Sequence, residues 1–287
     1  MNVLSLFNGM NTGRQALENI GIKVNKYYSS EIKPYAIELT QHHFPDTIQV
    51  GDVTKWRDWD IDWQSIDLIL SGSPCQDLSA AGKRAGINGS KSSLFFVFVE
   101  ILEHIKTLNP NVLFLQENVG SASKLDVGIM SRALGVYPCR INSSLLTAQL
   151  RDRYYWSNIK TKESMFDLVT DIPQPIDKKI MFKDIITSGK VNREKSKCLL
   201  AGLYNSFCYK NEKSKEAQYY LINREKFGTL LIYENDYIRT VNKIEMCRLQ
   251  GFPDDYCDTL SIPKAGSLLG DGWTLPIIEH IFSFLKP

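Results

Sequence analysis

Short apolar runs separated by polar, helix-periodic segments recur through the first 160 residues, and this alternation predicts an α/β fold built on a mostly parallel sheet. Residues 2–7, 24–30, 48–53, 68–70 and 112–119 read as strands. Residues 13–20, 34–43 and 94–108 read as the helices between them, the last apolar enough to be a core helix that packs through Phe95, Phe96 and Phe98. After Ser157 the alternation fades, and Pro173, Pro175 and a lysine-rich stretch mark a change of composition. Regular patterning resumes near Thr240, where Asn242 is placed to cap a helix running to Gln250, and an apolar helix over 275–285 is expected to return to the first domain. The expected organisation is a domain over 1–159, a small insert over 160–236 and a returning segment over 237–287.

Polar residues at the ends of these strands carry the candidate chemistry, because ligands of open parallel sheets bind outside the carboxyl ends of the strands. Gly72, Ser73 and Pro74 stop the fourth run and deliver Cys75 at its end. The fifth run ends on Glu117 and Asn118, and a carboxylate there loses hydration, which favours its protonated form. Strand alternation through 149–153 puts Gln149, Arg151 and Arg153 on one face, with two guanidinium groups in line for a phosphate or a base carbonyl. Gly9 and Gly13 bracket the turn after the first strand, and Glu31 closes the second about 20 residues later, where an acid can accept ribose hydroxyls. That turn lacks the third glycine of the dinucleotide fingerprint, which argues against a nicotinamide enzyme. The eighteen residues 76–93, polar and without apolar periodicity, read as a lid or binding loop.

Composition narrows the class. At 287 residues, 43% hydrophobic and 23% charged, the chain has ordinary soluble composition and length for one large domain or two smaller ones. The N-terminus lacks a basic start, and no apolar stretch reaches the roughly 18 residues of a membrane helix, so a cytoplasmic protein is expected. Six cysteines without a C-x-x-C pair, beside four histidines, indicate neither a metal site nor a disulfide framework. Net charge is only +2, but residues 178–226 hold twelve Lys and Arg against five Asp and Glu, interleaved with tyrosines, which suits contact with nucleic acid.

Taken together these residues resemble the DNA cytosine-5 methyltransferase family over nearly the whole chain and in the family's order. The resemblance implies a Rossmann-like, S-adenosylmethionine-dependent methyltransferase sheet with an inserted target-recognition domain. Phe7, Asn8, Gly9, Met10, Thr12 and Gly13 are similar to its cofactor motif, Glu31 to the ribose-binding acid, with Ile32 a further cofactor position, and Asp52 with Val53 to the adenine contact. Gly72, Pro74 and Leu94 fall among further cofactor positions, as do Asp271, Gly272 and Trp273 in the closing motif. Asp271 departs from the family's usual Asn. Cys75 then resembles the nucleophile, Glu117 the acid, and Arg151 and Arg153 the paired arginines.

The implied partner is double-stranded DNA, with a cognate restriction endonuclease where such an enzyme belongs to a restriction and modification pair; no membrane and no metal are implied. Base flipping would fall to the 76–93 loop, and Gln76, Ser79, Lys83, Arg84, Gln149, Lys195, Lys197 and Arg239 are the expected DNA contacts. A tRNA methyltransferase of the same fold and a catalytically silent DNA-binding relative are the alternatives. The Cys-Phe-Thr signature of the tRNA branch is not found after Pro74, and both Cys75 and Glu117 are retained.

Overall fold

A computed structural model of the chain describes residues 1–74, 94–165, 167–201, 213–225 and 228–285. It divides into two compact units, one of Met1–Ile141, Asp152–Gln174 and Ile278–Pro287, the other of Asn142–Arg151 and Pro175–Ile277. The division does not follow 160–236. The hairpin of Thr161–Ser164 and Asp167–Thr170 sits in the first unit, and most of 237–287 in the second.

The sheet has seven strands: β1 (Asn2–Leu6), β2 (Lys26–Ser30), β3 (Ile48–Gln49), β4 (Leu68–Ser71), β5 (Leu113–Val119), β6 (Cys139–Asn142) and β7 (Asp152–Ser157). Their order is β3-β2-β1-β4-β5-β7-β6. The pairs β1/β2, β1/β4, β2/β3 and β4/β5 are parallel, while β7 runs against β5. β1 to β5 were expected from their apolar runs, but the third is cut to two residues because Gly51, at φ 81°, turns the chain into a 3-10 helix over Val53–Asp58.

Helices α1 (Thr12–Asn19), α2 (Pro34–His43), α3 (Leu94–Leu108) and α4 (Lys124–Leu134) connect the strands. α3 buries Phe95, Phe98, Ile101, Leu102 and Ile105, a helical stripe that meets Leu6, Ile69 and Phe114 in the core. Each such side chain contributes about 1.5–3 kcal/mol relative to exposure. Phe96, expected to pack with them, is on the outer face and 37% exposed. α4 went unpredicted, although Ser123 caps it by accepting from Asp126 N and Gly135 ends it in the left-handed region. Ile278–Pro287 belongs to this first unit, where Glu279 accepts a hydrogen bond from Asn19.

The hairpin strands of the first unit are β8 and β9. In the second unit β10 (Leu231–Tyr233) and β11 (Ile238–Thr240) form an antiparallel pair. With them are α5 (Phe182–Ile185), α6 (Lys215–Arg224), α7 (Lys243–Gln250) and α8 (Ile262–Asp271). α7 carries the expected cap: Asn242 Oδ1 accepts from Glu245 N at 2.9 Å, and Glu245 returns the bond to Asn242 N. No helix among the described residues is long and apolar enough to cross a membrane.

Candidate active site

The strand order reverses between β1 and β4, since β2 and β3 lie on one side of β1 and β5 on the other. A doubly wound sheet opens its ligand crevice at that switch point, beyond the carboxyl ends of the strands. Register places Leu6 beside both Ser30 and Ser71, and Ser71 beside Gln116. The segments that follow, Phe7 to Gly13, Glu31, Gly72 to Pro74, and Glu117, therefore emerge along one edge of the sheet.

The turn after β1 is held open by unusual backbone. Phe7, Gly9 and Asn11 have φ of 55°, 58° and 63°, a left-handed region that residues such as Phe7 and Asn11 adopt only when surrounding structure fixes it. Glu31 supplies the fixing. Its Oε2 accepts from Gly9 N at 2.8 Å, and its Oε1 from Ile32 N and Lys33 N at 2.8 and 2.9 Å. A carboxylate offers about four acceptor positions, so about one remains for a ligand hydroxyl rather than the two expected of a free acid. Ile32 beside it is 69% exposed, an apolar surface at the mouth of the crevice.

Asn8 is buried, its amide engaged by Thr40 and Tyr27. Met10, Thr12 and Gly13 are buried too, and a Cβ on Gly13 would come 2.4 Å from Leu70. Gly13 is thus where α1 packs on β4. Asn11 is fully buried with both amide atoms unpartnered among the described residues. Asp52, exposed, caps the 3-10 helix; the bonds it accepts from Thr54 N and Thr54 Oγ1 hold its carboxyl below the usual range, and Val53 beneath it is buried. Leu94 opens α3.

Across β4 and β5 the polar side chains tie the strand ends together. Ser73 Oγ accepts from Gln116 Nε2 at 2.9 Å and from Asn118 Nδ2 at 3.5 Å, all three groups buried. This anchors the Gly72 to Pro74 turn, and Cys75 is the next residue in the chain. Cys75, Gln76, Ser79, Lys83, Arg84 and the rest of the expected loop lie outside the described residues. The Ser73 tether had a sequence signal in Gln116 and Asn118, two polar residues on one face of a buried strand, that went unused.

Glu117 is 8% exposed and pairs with Arg153, whose Nε lies 2.9 Å from Glu117 Oε1. The acid expected from sequence as a lone desolvated carboxylate has a cation beside it, delivered by the antiparallel strand β7. Arg140 grips Asp152 on that strand, and Gly120 leaves room for the Asp152 side chain.

Gln149, Arg151 and Arg153 do not form the single polar face that alternation predicted. Arg153 lies in β7, whereas Gln149 and Arg151 precede the strand and belong to the second unit. Burial does alternate there, with Gln149 and Arg151 buried and Leu150 48% exposed, but the buried face points into the unit.

Arg151 donates through Nη1 to Cys198 Sγ and Leu199 O, and through Nη2 to Gly270 O at 3.1 Å and Gly272 O at 2.7 Å. Gln149 accepts from Leu199 N at 2.6 Å and donates to Leu249 O, while Gln250 donates to Leu269 O and accepts from Thr274 Oγ1. This network fixes the carbonyls on either side of Asp271, which ends α8 with its side chain exposed; Gly272 and Trp273 follow, partly buried.

The other expected DNA contacts of this unit are also committed internally. Lys195 Nζ donates to Ser144 O, Thr147 O and Ile180 O, which uses all three ammonium protons. Lys197 Nζ is on Glu225 O. Arg239 is 8% exposed and lies between Glu234 at 2.7 Å and Glu245 at 2.8 Å. Burial opposes its charge, and these carboxylates more than offset that and raise its pKa. Among the described residues no group of His, Cys, Asp and Glu is placed to hold a metal.

Residues 1–133 match the family model of C-5 cytosine-specific DNA methylases. The orphan methyltransferase M.SPRI of Bacillus phage SPR is 33% identical over 205 residues, 66% of this chain and 43% of that protein. The type II methyltransferase M1.ScrFI of Lactococcus lactis subsp. cremoris is 28% identical over 285 residues, 90% of this chain and 71% of that one. The chain thus spans less than half of the phage relative.

Among solved structures, a mutant Spodoptera frugiperda DNMT2 aligns over 99% of both chains at TM-score 0.64 and 17% identity. A putative DNA modification methyltransferase from an E. coli prophage covers 99% of this chain and 98% of its own at TM-score 0.62 and 20% identity. These likenesses show the fold. The residues that the family model matches, 1–133, are those that carry β1 to β5 and the strand ends described above.

Proposed function

We propose that the chain transfers a methyl group from S-adenosylmethionine to carbon 5 of cytosine in double-stranded DNA. The observation that carries this reading is the tether of the Pro74 turn, through Ser73, to the strand that bears Glu117 and its Arg153 partner. Ser73 stands two residues before Cys75, and Gln116 and Asn118 flank Glu117, so the tether supports a reading in which thiol, acid and guanidinium act at one edge of the sheet. A cytosine needs those three groups on its carbon 6, its N3 edge and its O2 side.

Carbon 5 of cytosine is a poor nucleophile within an aromatic ring. Addition of the Cys75 thiolate to carbon 6 gives an enamine that is nucleophilic at carbon 5. Glu117 holds N3 and the exocyclic amine and so stabilises the activated ring, and Arg153 binds the O2 side. After methylation a base removes the carbon 5 proton, the electron pair re-forms the double bond and the thiolate leaves. None of these groups reaches carbon 6 in a stacked duplex, so the base is flipped out, with residues 76–93 assigned to the vacated space.

The residues around β1 and β2 fit S-adenosylmethionine. Glu31 keeps about one acceptor for a ribose hydroxyl, Ile32 offers an exposed apolar surface for adenine, and the buried Asn11 amide, unpartnered among the described residues, lies in the turn that would face the amino-acid end. When bound, the cofactor supplies an electrophilic methyl group. A cognate endonuclease belongs to this reading if loss of the chain's methylation exposes host DNA to cleavage.

Bisulfite sequencing of a methylation-deficient host expressing the chain provides the test. A single short motif methylated at cytosine throughout the chromosome is expected, and none from Cys75→Ser. An unmethylated chromosome, or methyl-cytosine confined to tRNA, overturns the reading.

A further inference from the structure

The basic stretch 178–226 sorts into cations that are used and cations that are not. Lys195, Lys197 and Arg193 bond to carbonyls or to Glu225 inside the second unit. Lys183 and Lys190 are exposed and have no hydrogen-bond or ion-pair partner for their side chains among the described residues. They flank an exposed turn, Thr187, Ser188 and Gly189, and line with it a concavity of about 480 Å³.

The turn is exposed, yet its anchors are buried charges. Glu245, with no exposed surface, accepts from Thr187 N at 2.8 Å and Thr187 Oγ1 at 2.9 Å. Arg239 donates to Ser188 O at 3.0 Å, and Ser188 Oγ donates to Glu234 at 2.5 Å. Lys190 exchanges both backbone bonds with Tyr233 at 2.8 Å, adding one rung to the β10/β11 pair. Burying a guanidinium and a carboxylate costs several kcal/mol before their pairing repays it. Such a cluster fixes the backbone of the surface turn between Lys183, on α5, and Lys190. The Thr187 and Ser188 hydroxyls are both committed, so the turn's own hydroxyls are not base readers, and the only nearby acid on α5, Asp184, bonds Met181 N.

We infer that Lys183 and Lys190, on either side of this braced turn, bind the phosphodiester backbone of the DNA duplex. The inference rests on the proposed DNA methyltransferase activity. Two lysines on two phosphates add an electrostatic, sequence-independent term that releases counterions and orients the unit on the duplex. Lys195, Lys197 and Arg239 build the support and do not touch the nucleic acid.

Fluorescence anisotropy of the full chain on a short duplex, containing the motif methylated in the expression host, tests this across a series of salt concentrations. Lys183→Ala with Lys190→Ala is expected to lower the slope of log affinity against log salt by about 1.8, from about 0.9 per phosphate contact. S-adenosylmethionine affinity should stay within about twofold in the same variant, because neither lysine is placed in the cofactor site. If the double alanine variant is not folded by circular dichroism, the double glutamine variant takes its place and must show the same loss of slope. A wild type that binds and methylates the duplex, with an unchanged slope in the variant, overturns this inference alone. A wild type that neither binds nor methylates any duplex overturns the activity on which it rests.

Discussion

Arg151 and Arg153 are two residues apart, yet they have opposite surroundings. In the first unit the polar residues that follow β1, β2, β4 and β5 stand at strand ends, where Arg153 meets Glu117. In the second unit Arg151, Gln149, Gln250 and Arg239 have the same residue types, and their donors are engaged by carbonyls and carboxylates of their own unit. A motif position therefore tells which family a side chain serves, while its partners tell whether it serves the ligand or the scaffold.

The paired arginines give the largest effects. Arg153→Met is expected to lower kcat/KM at least about 100-fold, the usual loss when one donor to a reacting ring is removed. Arg151→Met leaves four acceptors, two of them in buried bonds, without their cation and is expected to cost about 3 kcal/mol or more of stability. Steady-state methylation and urea unfolding of both variants separate the roles. An Arg151→Met protein of full stability that has lost activity would move that residue to the substrate and collapse the contrast.

How far this division could be read in the sequence follows from the same residues. Apolar runs marked β1, β2, β4 and β5, and the residues that close those runs pointed to Glu31, Pro74 and Glu117 as candidates, because a strand buried on both faces reads as a near-continuous apolar run. Alternation also assigned Gln149 and Arg151 to one face. It could not say that the face was internal, since their partners, Leu199, Gly270 and Gly272, are about 50 to 120 residues away. The charge excess over 178–226 had the same blind spot: Lys195 and Lys190 are alike in composition, and only the fold gives one three carbonyls and leaves the other to solvent. Helix α8 was not expected from the sequence, although Pro263 stands in its first turn, where proline is well placed.

A smaller effect follows from the charge cluster of the second unit. Burial works against the Glu245 carboxylate, but the bonds from Arg239, Thr187 and Asn242 outweigh it and hold its pKa below the usual glutamate value. Its contribution to stability is therefore full above the unfolded-state value, about 4.3, and is lost as pH falls through the lower folded one. Urea midpoints measured from pH 7 to pH 3 should fall more steeply for wild type than for Glu245→Gln, which starts lower. Parallel curves would show that Glu245 is not the group linking this unit to acid.

The central claim is covalent catalysis by Cys75 on a cytosine held at the switch-point edge. Incubation with S-adenosylmethionine and a duplex carrying 5-fluorocytosine at the target position tests it most directly, because fluorine at carbon 5 cannot be removed as a proton and the adduct cannot break down. The account predicts a complex that survives denaturation, maps by peptide sequencing to Cys75, and is absent from Cys75→Ser protein that still binds the cofactor. No complex, or one mapped to another cysteine such as Cys198, would contradict it.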